Sequence, residues 1–138
     1  MRRLLKAVIA ALLLSASAAQ AGTYQIAHGS TCPLMDQPKG LYRLIDRVGI
    51  ATGLDLQKGF RISGSLLCFY HQGLSSPGSP VYVYTYRVTI DKEMRDAGAT
   101  RWATLHERTS YGATDGDQSW VNELEKETRT VIELTRRK

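Results

Sequence analysis

Val81-Tyr82-Val83-Tyr84-Thr85-Tyr86-Arg87-Val88-Thr89-Ile90 decides the fold class. All of these residues except Arg87 are β-branched or aromatic, and such side chains pack well on a pleated surface while losing freedom in a helix. A period of two places Tyr82, Tyr84, Tyr86, Val88 and Ile90 on one face and Val81, Val83, Thr85, Arg87 and Thr89 on the other. Tyrosine supplies apolar contact area and a hydroxyl, so three tyrosines at alternate positions, with Arg87 as the polar contact of the opposite face, are the candidate binding residues: Tyr82, Tyr84, Tyr86 and Arg87. The competing reading packs the tyrosines beneath a helix. Continuation of their face into Val88 and Ile90 favours that packing.

Upstream, residues 72–80 are rich in Gly, Ser and Pro and read as a surface loop. Before it, Phe60 to His71 is strand-like, with Ile62, Leu66, Cys68 and Tyr70 on one face and Leu67, Phe69 and His71 on the other. Apolar residues on both faces of its second half predict a central strand. Leu41, Leu44, Ile45 and Val48 recur at helical spacing and predict a helix over about 38–52, started by Pro38 and stopped by Gly53 with Leu54 packing back. Residues 23–31 read either as an edge strand or as a plain lead into Cys32. Downstream, Asp91 is expected to cap a short turn or helix that Gly98 ends, and Arg101 to Thr109 reads as a strand with Trp102, Thr104 and His106 on one face and Ala103 and Leu105 on the other. Tyr111 to Asp117 reads as a loop. A last helix over about 118–136 presents Trp120, Val121, Leu124, Val131 and Ile132 along a stripe broken by Thr128. Its β-branched segment 130–135 leaves a final strand as the alternative. The predicted fold is α+β: a small antiparallel sheet of three to four strands with two helices on one face and no internal repeat.

The first residues bear on compartment. Met1 to Lys6 is basic, Ala7 to Leu14 is apolar and uncharged, and Ala19-Gln20-Ala21 has the small-x-small pattern of a leader cleavage site. Residues 1–21 are thus expected to be a signal peptide, with Ala16 to Ala18 as an alternative cleavage site, and residues 22–138 a single exported domain, periplasmic or secreted. Losing Arg2, Arg3 and Lys6 lowers the formal charge of +5 by three. Little basic excess is left to favour nucleic acid, and no apolar segment remains to insert the mature chain into a membrane. Another exported or envelope protein is the expected partner, and oligomeric state stays open.

Two cysteines, Cys32 and Cys68, are expected to form a disulfide in an oxidising compartment. Free thiols and a metal site are the alternatives. Cys68 and His71 lie three apart on a strand and point to opposite faces, whereas His28 and Cys32 supply only two of the four ligands that structural zinc takes.

No catalytic or metal residue is assigned and no cofactor is expected. There is no G-x-S-x-G, P-loop or dinucleotide fingerprint. Asp115-Gly116-Asp117 lacks the further acids of a calcium loop and reads as a turn plus helix cap. The leading expectation is a small exported non-catalytic binding or accessory module. The alternatives are a small hydrolase drawing on His71, His106 and Asp115 or Asp117, and an assembly protein using a Tyr-rich sheet edge.

Overall fold

The computed structural model describes residues 24–36 and 39–137. The expected signal peptide and the start of the first helix at Pro38 lie outside the described residues. The elements are β1 (Gln25–Ser30), α1 (Gly40–Thr52), β2 (Phe60–Tyr70), β3 (Tyr82–Asp96), β4 (Ala99–Thr114) and α2 (Gln118–Leu134), and they build one four-stranded sheet in the order β1-β2-β3-β4. The fold is α+β, as the strand and helix patterns imply. The sheet is mixed rather than antiparallel throughout, because β1 runs parallel to β2 while β2-β3 and β3-β4 are antiparallel. The reason is length: the segment between β1 and β2 contains a whole helix, which carries the chain back to the starting end of the sheet.

Both helices cover the same face. Leu41, Leu44, Ile45 and Val48 of α1 and Trp120, Leu124, Val131 and Ile132 of α2 are buried with Ile62, Leu66, Tyr84, Tyr86, Val88 and Ile90 of the sheet. A Cβ on Gly64 would come within 2.5 Å of Ile45 Cδ1, so its lack of a side chain lets α1 approach β2 closely. Gly53 ends α1 in the left-handed conformation (φ 64°), and Leu54 N–H donates to the Gly49 carbonyl, closing the cap expected from sequence. At the other helix Asp117 accepts from Trp120 N–H at 3.0 Å. Residues 130–134 are helical, with Val131 and Ile132 fully buried. Thr128 interrupts the apolar stripe without leaving a polar orphan: its hydroxyl donates to the Leu124 carbonyl at 2.8 Å, and the Tyr86 hydroxyl, 2.7 Å away, donates to it in turn.

Three boundaries differ from the sequence reading. Asp91 caps no turn, because β3 continues through Asp96 to a two-residue hairpin, Ala97-Gly98, with both φ values positive (48° and 79°). Pairing with β4 holds these charged residues extended against their weak β propensity. The supposed loop at Tyr111 is still strand, since β4 runs to Thr114. Gly112, which looks like a turn residue, sits under the Tyr84 ring, where a Cβ would meet Cε1 at 3.4 Å. Finally, the ladder shifts between Ile90 and Asp91: Ile90 pairs with His106 and Asp91 with Thr104, leaving Leu105 as the extra residue of a bulge. Trp102 and Thr104 therefore share a face with Asp91 and Glu93, while His106 shares the helix face with Ile90.

The disulfide joins Cys32 to Cys68 with Cα atoms 4.6 Å apart and both residues buried. Closing a loop of 36 residues in sequence stabilises a fold by about 3 to 4 kcal/mol, chiefly through the unfolded chain. It fastens the segment leaving β1 to the far end of β2.

Candidate functional site

Opposite the helices, register sets the side chains of β2, β3 and β4 in rows. Leu67, Thr85 and Tyr111 form one row, and Phe69, Val83 and Ala113 the next. Leu67 is 40% exposed, Phe69 66%, Val83 37% and Tyr111 78%. Phe69 and Tyr111 alone leave on the order of 300 Å² in water, taking about 200 Å² for a whole aromatic side chain. That approaches the largest apolar patch an ordinary monomer shows, and contiguous patches of this kind mark contact surfaces. β2 is interior in the sheet order, as expected, but its Leu67 and Phe69 face is open, because two helices suffice to cover only one side of the sheet.

The next row is Ser65, Arg87 and Thr109. Arg87 Nε and Nη2 donate to the two carboxylate oxygens of Glu107 at 2.6 and 3.3 Å. The bidentate guanidinium holds the Glu107 carboxyl below its ordinary range and raises Arg87 in return. Further along, the same face closes over itself. Arg61 Nε donates to Asp91 Oδ2 at 3.0 Å, Thr104 Oγ1 reaches Asp91 Oδ1 at 3.4 Å, and the Arg61 guanidinium lies 4.1 Å from the centroid of the Trp102 ring. Asp91 is buried in this cluster, and Thr89, two residues before it, is buried as well, although neither described helix covers this face. The open face thus has an apolar end, a charged middle and a self-capped polar end.

The sequence-predicted binding residues divide between the two faces. Tyr86 is fully buried and Tyr84 nearly so, its ring edge-on to Trp120 at 5.8 Å and its hydroxyl 3.3 Å from Ser110 Oγ. Tyr82 is partly buried and stacks edge-on with Tyr70 at 5.7 Å. Burial of Tyr84 and Tyr86 agrees with packing beneath the helices, which Val88 and Ile90 favour, and leaves these two tentative binding residues inaccessible. Arg87 alone of the four stands on the open face. The surface that sequence reasoning missed is Leu67, Phe69 and Tyr111. The first two were visible as an apolar alternate set in β2, and Tyr111 was hidden by being read as loop.

The residues considered for hydrolysis are not brought together. His71 Nδ1 accepts from Leu74 N–H at 3.0 Å, and Ser75 Oγ donates to the His71 main-chain carbonyl, both within the loop after β2. His106 pairs with Ile90, eight residues along β3 from Tyr82 at the His71 end, or about 27 Å at strand rise. Asp115 accepts from Asp117 N–H, and Asp117 caps α2. Among the described residues no group of three or more His, Cys, Asp or Glu side chains is placed to hold a metal ion, and no helix is long and apolar enough to cross a membrane. A concavity of about 660 Å³ between the start of β1, α1 and residues 55–60 is lined by Tyr24, Tyr42, Asp55, Lys58 and Phe60; the Tyr24 hydroxyl there donates to Asp46 Oδ1 at 2.8 Å. Burial, and then that bond, raise Tyr24 above the usual tyrosine range, which keeps it neutral.

Comparison with protein-family models, curated proteins and solved structures finds no match to this chain.

Proposed function

We propose that this chain is an exported, non-catalytic binding module that holds a protein partner against the open face of its sheet. The observation that carries this reading is the contiguous apolar set Leu67, Phe69, Val83 and Tyr111, displayed on three adjacent strands with no helix among the described residues over it. Fold stability does not require large apolar side chains there, since the core lies on the other side. Export is supported by the leader pattern of residues 1–21 and by the disulfide, which persists in oxidising compartments.

A photo-cross-linking residue placed at Tyr111, and separately at Arg129 on the exposed side of α2, tests the reading in cells that make the protein. Protein adducts at position 111 and none at 129 are expected. Equal yield at the two positions, or no adduct at either, would remove the open face as a binding surface.

A further inference from the structure

Resting on the proposed binding face, we infer that a lysine or arginine side chain of the protein partner enters a hollow at the end of the sheet, where Asp115 and Glu123 meet its charge and the Tyr84 and Trp120 rings flank it.

The hollow measures about 490 Å³ and lies between the end of β4, the start of β3 and the first turns of α2, with Tyr84, Ala113, Asp115, Asp117, Trp120 and Glu123 in its walls. Three of these are acids, and among the described residues no basic side chain lines it. Capping explains Asp117, whose carboxylate accepts from Trp120 N–H, and a turn explains Asp115, which accepts from Asp117 N–H. Each bond uses one oxygen of its carboxylate. Neither explains Glu123, which shares the hollow because it lies three residues after Trp120 on the same side of the helix. Its pair with Lys126, at 3.9 Å, is exposed and holds it weakly.

The second observation is Trp120 itself. The residue is 4% exposed, yet its indole Nε1–H, shielded from water, has no acceptor among the described residues. Buried donors in native structures nearly always have a partner, and one without destabilises the free molecule. The site therefore lacks two things: positive charge beside the carboxylates and an oxygen beside the indole. A lysine or arginine residue within a peptide carries both. Its head group pairs with the carboxylates against the aromatic rings, and its main-chain carbonyl accepts from Nε1–H after a small tilt of the Trp120 ring toward the hollow. A metal ion would answer only the first need, and the acids are not placed to share one.

Ala113 joins the hollow to the open face, since it stands in the row of Phe69 and Val83 and also lines the hollow. A segment lying over Phe69 and Tyr111 thus meets the acids at its margin. Apolar contact at the centre with a charged contact at the rim is the ordinary anatomy of a protein interface, and the rim contact fixes which way the partner lies.

Two measurements test the inference. In the first, NMR spectra of the oxidised mature chain are followed as the capped tripeptides valine-lysine-valine and valine-arginine-valine are added to millimolar concentration, with valine-norleucine-valine as the neutral probe. Saturable shifts at residues 115–123 and of the Trp120 indole proton are expected from the basic peptides and not from the neutral one. Asp115→Asn/Glu123→Gln keeps the turn acceptor and should weaken that binding roughly tenfold. An equal response to the neutral peptide, a response that survives the double variant, or no response overturns the inference. In the second, Glu123→Lys is combined with the photo-cross-linker at position 111, and the yield of protein adducts is expected to fall several-fold. Undiminished adducts leave the open face standing as a binding surface and overturn the hollow as the place where the partner's charge is held. Absence of adducts from the wild type removes the protein partner and this assignment with it, whatever the tripeptides do.

Discussion

Leu66 and Leu67 are neighbours in β2 with the same side chain, yet Leu66 is fully buried in the core shared with the helices while Leu67 is 40% exposed. The same contrast separates Tyr86 from Tyr111, and Cys68 from Phe69. Alternation along a strand distributes residues to two faces, but only the covering layer decides which face becomes a core. On the covered face apolar residues are explained by folding. On the open face they are not, and that residue of unexplained apolar surface is where function is sought.

Matched pairs of substitutions can break this comparison. Replacing Cys32 and Cys68 together by alanine should cost about 3 to 4 kcal/mol in urea unfolding, whereas Phe69→Ala, next to Cys68, should stay within about 0.5. Leu66→Ala should cost about 2 to 5 kcal/mol and Leu67→Ala again within about 0.5; comparable losses at 66 and 67 would mean that the open face is covered in the folded monomer. Tyr86→Phe removes the hydroxyl that donates to Thr128 and should cost about 1 kcal/mol, while Tyr111→Phe should be neutral. The smallest effect is electrostatic. NMR titration should find the Glu107 carboxyl below the ordinary glutamate value, and Arg87→Gln should return it towards that value. Because the folded-state value is lowered, the pair's contribution is present above about pH 4.3 and is lost as pH falls through the lowered value. A Glu107 titration unchanged by Arg87→Gln would show that the ion pair does not form in solution.

Much of this contrast was legible in the residues. The segment 81–90 sorted its faces correctly because β-branched and aromatic side chains dominate it, and Arg87 marked the exposed side. Two cysteines left a single pairing, and Leu41 to Val48 with Gly53 gave α1 and its stop. What was hidden depended on partners distant in sequence. Asp91 to Asp96 has little strand propensity of its own and is extended because β4 pairs with it. Gly112 signals a turn until the Tyr84 ring is placed above it. The bulge at Leu105 exchanges the faces of Trp102 and Thr104 relative to His106, which no strict period of two can foresee. The parallel pairing of β1 likewise depends on where α1 delivers the chain. For the candidate site, the apolar alternation of Leu67 and Phe69 predicts a central strand, which β2 is, but not that their face is open, since sequence does not say how many layers cover a sheet.

Cys68 stands between Leu67 and Phe69, and its bond to Cys32 is made on the far side of the same backbone. Before the two sulfurs join, that length of β2 is held by ladder hydrogen bonds and packing alone, and it lies near a strand end, where fraying begins. If the open face binds a partner as proposed, oxidation would be a maturation step for it: the covalent bond inside would fix how the apolar surface outside is presented. A newly made, reduced molecule would show a looser version of that surface, and recognition would sharpen only once the chain is finished.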